Sequence, residues 1–169
     1  MSLIVCPLHE LSAATDRHRP SHVLTLLAPN AEIPVLPTIA QDQRMSLLFH
    51  DIAEPMPGFI PPDKAMIARL LLFGAAWDRR APMIVHCWAG VSRSPATAYI
   101  LACQRSESGR EQALAHALRQ VAPHVTPNAL MVAIADAQLG RGGRMVSAIA
   151  GIGRGAECAL GQTFELPLV

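Results

Sequence analysis

Short apolar runs alternate with polar or amphipathic segments along the first half of this chain. Four runs predict buried strands, and they cover residues 2–8, 21–28, 44–52 and 81–87. Residues 9–20 are polar and end at Pro20, which predicts a short helix. Residues 63–77 place apolar side chains at helical spacing, and this predicts a longer helix.

The proline-rich stretch 54–64 separates the third strand from this longer helix, and its prolines and glycine predict a loop. Beyond the fourth strand, a helix is expected to begin near Ser92. Pro95 fits its first turn, where the missing N–H of proline does no harm. Ser108 and Glu111 have the spacing of a capping box, with Ser108 as N-cap, that opens a helix to about residue 121.

The last third of the chain continues with helices. Thr126 followed by Pro127 signals a helix start, and the segment is expected to run to Gly140. Met145, Ile149 and Ile152 lie on one side of a further short helix. The residues after Gly151 are rich in glycine and are expected to be poorly ordered.

Together these elements predict an α/β fold. Strands separated by helices favour a central, mostly parallel sheet of about four to five strands flanked by helices. The expected organisation is a single domain over residues 1–150, followed by a glycine-rich C-terminal tail over residues 151–169. No internal repeat is visible in the sequence.

Charge and hydropathy narrow the classes of partner. The 169 residues include 14 Lys and Arg against 13 Asp and Glu, a net charge of +1 without the basic footprint that nucleic acid binding requires. Mean hydropathy is positive at +0.28, but the longest apolar stretch, 65–77, is interrupted by Arg69 and is too short to span a bilayer. No secretory signal precedes the first strand, so a cytoplasmic protein without a membrane partner is expected. The excess of Arg over Lys is typical of GC-rich bacterial genomes.

The cysteines are widely spaced. The chain has four, at positions 6, 87, 103 and 158, and no pair is separated by two residues. Free thiols are therefore expected rather than a disulfide framework. Cys6 is predicted to be a core thiol. Cys103 has two possible roles, as a resolving thiol for an oxidised Cys87 or as part of an apolar helix face.

The stretch "IVHCWAGVSRSP", residues 84–95, carries most of the candidate chemistry. Five residues separate Cys87 from Arg93, and the segment lies between a predicted buried strand and a predicted helix. Loop N–H groups and a helix N-terminus at such a place form a cradle for an anion. Gly90 permits a tight turn and a close approach of the anion.

Each side chain of this segment suits one task in phosphate chemistry. Thiols at helix N-termini beside cations ionise readily, so Cys87 is expected to be a thiolate that can attack phosphorus. Arg93 offers a planar fork for two phosphate oxygens. Ser94 can donate a hydrogen bond to the sulfur when the thiolate leaves. His86 is expected to support the loop through hydrogen bonds.

Residues 86–94, "HCWAGVSRS", resemble the His-Cys-x5-Arg-Ser/Thr signature of protein tyrosine and dual-specificity phosphatases, and the similarity extends over roughly residues 20–140. The resemblance implies a dual-specificity-phosphatase-like fold and a two-step hydrolysis through a phosphocysteine, without metal or cofactor. The family's phosphate-binding loop corresponds to Trp88, Ala89, Gly90, Val91, Ser92 and Arg93. Its general acid, an aspartate on an earlier loop, corresponds to Asp51, which lies 36 positions before Cys87.

Other interpretations stay open at this point. The plain structural alternative for Cys87 and Arg93 is a buried thiol and a surface arginine at a strand–helix turn. Rhodanese-like and arsenate-reductase-like proteins also use a cysteine–arginine loop, but the former loop is shorter and the latter follows the first strand. Trp88 could line the pocket or only pack. Asp63 is expected to cap a helix.

Within phosphatase chemistry, the substrate class is the open question. Residues 88–92 contain no Lys or Arg, which favours phosphorylated proteins, including phosphotyrosine proteins, over polyphosphates. The alternatives are a phosphatase acting on nucleotides or inositol phosphates, and a phosphate-binding module with weak turnover.

Overall fold

The structure, a computed structural model, describes residues 2–168 and contains one five-stranded sheet. The strands are β1 (Ser2–Pro7), β2 (His22–Leu27), β3 (Arg44–Leu48), β4 (Met83–Cys87) and β5 (Phe164–Pro167). Their order across the sheet is β3-β2-β4-β1-β5. The first four run parallel and β5 pairs antiparallel with β1. The predicted α/β fold with a mostly parallel sheet is confirmed.

Six α-helices within residues 2–168 cover the two faces of this sheet. They are α1 (Leu11–His18), α2 (Lys64–Ala76), α3 (Arg93–Gln104), α4 (Glu111–Val121), α5 (Ala129–Gln138) and α6 (Arg144–Ile152). The core of one face includes apolar residues of α1 and of the loop after β2, and the core of the other includes residues of α2 to α6. No helix within residues 2–168 has the length and apolar composition needed to cross a membrane.

Helix α3 lies at the centre of the larger layer. Every residue from Arg93 to Cys103 is buried, because α3 packs between the sheet and α2, α4 and α5. Small residues such as Ala96, Ala98 and Ala102 allow this close approach. The helix follows directly from β4, the central strand, so the loop between them is held on both sides by buried elements.

The predicted capping box at the start of α4 is wrong. The helix begins at Glu111, and Arg110 is its N-cap residue without a side-chain cap. The Oε2 atom of Glu111 accepts from the Gly109 N–H, and the hydroxyl of Ser108 accepts from Arg144. Glu111 forms ion pairs with Arg141 and Arg144, which hold its carboxylate inside the fold. The glutamate expected to cap the helix locally therefore makes tertiary contacts.

The start of α5 also differs from the expectation. Asn128, not Thr126, caps the helix, and its side chain accepts from the Met131 N–H. Thr126 donates its backbone N–H to Val91 at 2.8 Å, and its hydroxyl accepts from the Gly155 N–H. Thr126 therefore links the loop after β4 to the C-terminal segment, two residues before the N-cap Asn128.

The poorly ordered tail predicted after Gly151 is wrong for the last part of the chain. Phe164 and Leu166 turn inward from β5 and are buried, whereas Glu165 and Pro167 face outward. This alternation fits an edge strand that closes one side of the sheet beside β1. The glycine-rich residues 151–161 pass beside the loop after β4, where the Gly161 N–H donates to the Ala89 carbonyl, before the chain reaches the sheet.

Candidate active site

Cys87 lies at the carboxyl end of β4, where the chain leaves the sheet and turns into α3. β1 and β2 flank this strand on both sides, and Pro7 and Leu26 are the register partners of Cys87. The thiol is 2% exposed. Carboxyl ends of parallel strands are the common binding edge of open α/β sheets, so the nucleophile predicted from the sequence lies at the expected edge.

The backbone of the loop after Cys87 is turned so that its carbonyls face the rest of the protein. The carbonyl oxygens of Trp88, Ala89, Val91 and Ser92 accept from the N–H groups of Leu8, Gly161, Thr126 and Asn128 respectively. In a planar trans peptide, the N–H points opposite to the preceding carbonyl. The N–H groups of residues 89, 90, 92 and 93 therefore face away from these partners.

Most of these N–H groups have no acceptor among the residues that the structure describes. Gly90 donates to the Cys87 sulfur at 3.2 Å, whereas no acceptor within residues 2–168 is seen for the N–H groups of Ala89, Ser92 and Arg93. Unsatisfied N–H groups that converge at a helix N-terminus are the physical basis of an anion cradle. Three separate parts of the chain, at residues 8, 126–128 and 161, hold the loop in this shape.

Gly90 is required for the shape of the loop. Its φ of +70° lies in the left-handed region that side chains disfavour. A Cβ at this position would come within 2.9 Å of the Pro7 backbone nitrogen. The loop therefore packs directly against the end of β1, which leaves no room for a side chain.

The Cys87 sulfur has a second polar neighbour. The hydroxyl of Ser94 lies 3.1 Å from it, on the first turn of α3. With the Gly90 N–H, the Ser94 hydroxyl places two hydrogen-bond donors beside the sulfur. The structure thus brings Cys87, Gly90 and Ser94 together as the sequence pattern suggested.

Arg93 is a buried cation without a counter-charge. Its side chain is 7% exposed, one guanidinium N–H donates to the Phe49 carbonyl at 2.9 Å, and the guanidinium carbon lies 5.8 Å from the centre of the Phe49 ring. Its Nε is buried without a partner, and no carboxylate within residues 2–168 forms an ion pair with it. Buried charges are normally paired, so this arrangement suits an anionic ligand.

Asp51 reaches the same site from the loop that follows β3. Its Oδ1 atom accepts from the Ser92 hydroxyl at 2.7 Å and from the Asn128 amide at 2.8 Å. The strand ends at Leu48, earlier than predicted, and the chain then turns at His50, whose N–H donates to Ile60 at 2.7 Å. Asp63 instead caps α2 by accepting from the Met66 N–H, as predicted.

These residues line one pocket of about 370 Å³. Its wall consists of Asp51, Cys87, Trp88, Ala89, Val91, Ser92, Arg93, Cys158 and Ala159. Trp88 is 60% exposed and therefore lines the pocket rather than packing in the core. Volume alone does not single out this site, since the cleft beside Glu10 and Arg17 encloses about 510 Å³ but contains no cysteine.

The sequence did not indicate three residues of this site. Cys158 and Ala159 come from the segment that was expected to be poorly ordered, and the Gly161 N–H fixes that segment to the Ala89 carbonyl at 2.8 Å. Asn128 could have been recognised as a helix cap from its place after Pro127. Nothing in the sequence pattern indicated its contact with Asp51.

His86 lies beneath the loop and is completely buried. Its Nε2 atom lies 2.7 Å from the Thr25 hydroxyl of the neighbouring strand. Burial lowers the pKa of His86 to about 4, so the ring is neutral at neutral pH. Nδ1 lies beside the Cys87 backbone, which slightly favours the charged form, but it has no hydrogen bond of normal geometry. The ring is therefore held inside the fold against β2 and does not line the pocket.

Two of the other cysteines are core groups. Cys6 and Cys103 are buried, and burial raises the pKa of each thiol to about 12. Cys103 belongs to the apolar core around α3, which is the second of the two roles that the sequence left open. Cys158, in contrast, is exposed at the pocket.

Comparisons with known proteins give a structural likeness only. No family model and no curated protein match the sequence. Among solved structures, the crystal structure of DUSP15 is similar with a TM-score of 0.60 and 16% sequence identity, over 89% of this chain and 89% of that chain. The chain therefore has a dual-specificity-phosphatase-like fold.

Proposed function

We propose that this protein is a phosphoric monoester hydrolase of the tyrosine or dual-specificity phosphatase type, acting on phosphorylated proteins through a phosphocysteine. One observation carries the proposal. A buried Arg93, which forms no ion pair within residues 2–168, lies at the same helix N-terminus as a thiol with two donors and three loop N–H groups that have no acceptor in this range. A structural thiol and a surface arginine would not explain why these groups are buried together.

In the first step, the phosphate oxygens are held by the loop N–H groups and by the fork of Arg93. The Cys87 thiolate attacks phosphorus, an S–P bond forms, and the bond from phosphorus to the leaving oxygen breaks. Asp51 gives its proton to that oxygen, so the alcohol or phenol leaves neutral. Asp51 is left as a carboxylate.

In the second step, water attacks the phosphorus of the phosphocysteine. The S–P bond breaks and the electron pair returns to sulfur, where the Ser94 hydroxyl and the Gly90 N–H stabilise the thiolate. The Asp51 carboxylate takes the proton from the attacking water, which restores the acid for the next cycle. Inorganic phosphate is the product.

The lining of the pocket supports a substrate with one phosphate on a polypeptide. Arg93 is its only basic residue within the described chain, and the wall formed by Trp88, Val91 and Ala159 is apolar. A nucleotide or inositol polyphosphate would bring several further charges to this wall without cations to meet them. Phosphorylated proteins in the cytoplasm are the proposed substrates.

The test is hydrolysis of phenyl phosphate by the purified protein in the presence of a chelator. We expect turnover in the wild type and none in Cys87→Ser, because an unassisted serine gives no alkoxide at neutral pH. Retained activity in this variant would exclude a phosphocysteine. If wild-type protein binds vanadate but shows no turnover, the phosphate-binding module becomes the better description. Cys87→Ser then serves as bait to trap phosphorylated proteins from a lysate.

A further inference from the structure

Asn128 connects two parts of the pocket through one buried amide. The side chain is 5% exposed at the N-cap of α5. Its Oδ1 accepts from the Met131 N–H at 3.0 Å, and its Nδ2 donates to Asp51 Oδ1 at 2.8 Å and to the Ile52 carbonyl at 3.2 Å. The cap bond fixes which end of the amide carries oxygen, so the NH₂ group must face the loop that bears Asp51.

Asp51 is held by one oxygen only. Its Oδ1 receives two donors, the Ser92 hydroxyl and the Asn128 amide, which occupy the two lone pairs of that oxygen. No hydrogen bond to Oδ2 is seen from any residue in the range 2–168. A proton carried by this carboxyl group therefore resides on Oδ2.

We propose that Asn128 is a positioning residue for the general acid. With Ser92, it holds Oδ1 so that the proton on Oδ2 is presented to the leaving oxygen, an inference that rests on the proposed phosphatase function. The same two donors stabilise the negative charge that grows on Asp51 as the proton leaves. Hydrogen bonds to an ionised carboxylate are stronger than those to a neutral one, so their contribution is larger in the transition state.

The variant that separates this role from helix capping is Asn128→Ser. Serine is as good an N-cap as asparagine, but its short side chain cannot reach across to Asp51. A lost charge-assisted hydrogen bond corresponds to about 10–100-fold in rate. We expect kcat for phenyl phosphate to fall by about 10–100-fold and kcat for p-nitrophenyl phosphate to fall much less, because nitrophenolate needs little protonation.

A purely structural role would not produce this dependence on the leaving group. The decisive measurement is a double-mutant cycle with Asp51→Asn. Once the acid is absent, Asn128→Ser should cause almost no further loss with phenyl phosphate. Equal losses with both substrates, or an undiminished loss in the Asp51→Asn background, would overturn the proposal.

Two further variants keep the test decisive. Ser92→Ala removes the other donor to Oδ1 without touching α5, and Ser92 makes no side-chain cap to α3. Ser92→Ala should show the same leaving-group dependence even if Asn128→Ser folds poorly. Equal losses with the two substrates in Ser92→Ala would count against the proposal. Asp63→Ser changes the matching cap of α2 and should leave the ratio of the two rates unchanged.

Failure of this inference can be told apart from failure of the proposed function. If wild-type protein has no activity that depends on Cys87, the phosphatase proposal fails first. If wild type and Cys87→Ser behave as expected but Asn128→Ser keeps the wild-type ratio of rates, only the role of Asn128 is refuted.

Discussion

The two sides of the pocket are built in different ways. The proposed phosphate cradle is one continuous segment, residues 87–94, held between the central strand β4 and the buried helix α3. The side that carries the proposed acid is assembled from three separate places: the loop after β3 with Asp51, the cap of α5 with Asn128, and the C-terminal segment with Cys158. Cys87, Gly90, Arg93 and Ser94 of the cradle are buried, whereas Asp51 is exposed.

On one side of the pocket, a strand and a helix hold both ends of the segment that carries the polar groups. On the other side, individual hydrogen bonds position Asp51. In the cradle, β4 and α3 fix the two ends of the loop, and backbone hydrogen bonds to four of its carbonyls fix which way its N–H groups face. On the acid side, two hydrogen bonds to Oδ1 are the contacts that place Asp51. Changes in the cradle should therefore affect every substrate, and changes on the acid side should affect substrates according to their leaving group.

Asp51→Asn should cause the largest loss of activity among the variants that distinguish the two sides of the pocket. The amide keeps the acceptor for Ser92 and Asn128 but cannot donate a proton as an acid. We expect kcat for phenyl phosphate to fall by about 10²–10⁴-fold, with a much smaller loss for p-nitrophenyl phosphate. Steady-state rates with both substrates measure this.

The matched control is Asp63→Asn, since asparagine also caps helices and Asp63 does not line the pocket. If Asp63→Asn shows the leaving-group dependence and Asp51→Asn does not, the assignment of the acid is wrong. If neither variant shows it, Glu54 on the same loop is the next candidate.

Arg93→Lys tests the cradle side. Lysine keeps the charge but not the planar fork, and a preorganised donor to the reacting group contributes about 10²–10³-fold. We expect kcat/KM to fall by about this factor for phenyl and p-nitrophenyl phosphate alike. Arg105→Lys is the control, because Arg105 also donates to carbonyls but does so at the end of α2. A loss confined to poor leaving groups would contradict the division between the two sides.

The same division explains what the sequence could predict. The strands and most helices follow apolar periodicity, and the cradle follows from one local pattern that combines Cys87, Gly90 and Arg93. The capping box at Ser108 and the cap at Thr126 failed because the tertiary contacts of Glu111 and Thr126 override local preferences. Cys158 and Ala159, which form the C-terminal part of the pocket wall, lie in a segment without apolar periodicity. Single backbone hydrogen bonds, such as that of the Gly161 N–H, hold this segment in place.

Low pH should destabilise the fold through protonation of His86. Because burial lowers the pKa of His86 to about 4 from 6.5, the unfolded chain binds a proton between these values and the folded chain does not. Stability is therefore lost as pH falls through this range, by on the order of 2–3 kcal/mol at pH 4.5. Urea unfolding at pH 7 and pH 4.5 measures the loss.

His86→Gln is the control for this pH dependence, since glutamine does not titrate and has an amide that can meet the Thr25 hydroxyl. The variant should lose less stability between the two pH values than the wild type does. The lowered pKa values of His22 and His124 act in the same direction in both proteins and cancel in the difference. An equal loss in both proteins would show that His86 is not the group responsible.

The smallest expected effect compares one glycine from each side. Gly90 in the cradle and Gly58 in the Asp51 loop have φ values of +70° and +80°, so alanine at either position meets similar backbone strain of about 1–2 kcal/mol. Only at Gly90 would the new Cβ also meet a fixed backbone, at 2.9 Å from the Pro7 nitrogen, whereas nothing lies within 4 Å at Gly58.

Gly90→Ala should therefore lower the free energy of unfolding more than Gly58→Ala does, and it alone should weaken inhibition by vanadate. Vanadate has no leaving group that needs the acid, so its binding reports on the cradle and not on Asp51. If Gly58→Ala weakened vanadate binding as much as Gly90→Ala, the Asp51 loop would be part of the anion site. The anion site could then no longer be assigned to the segment 87–94 alone.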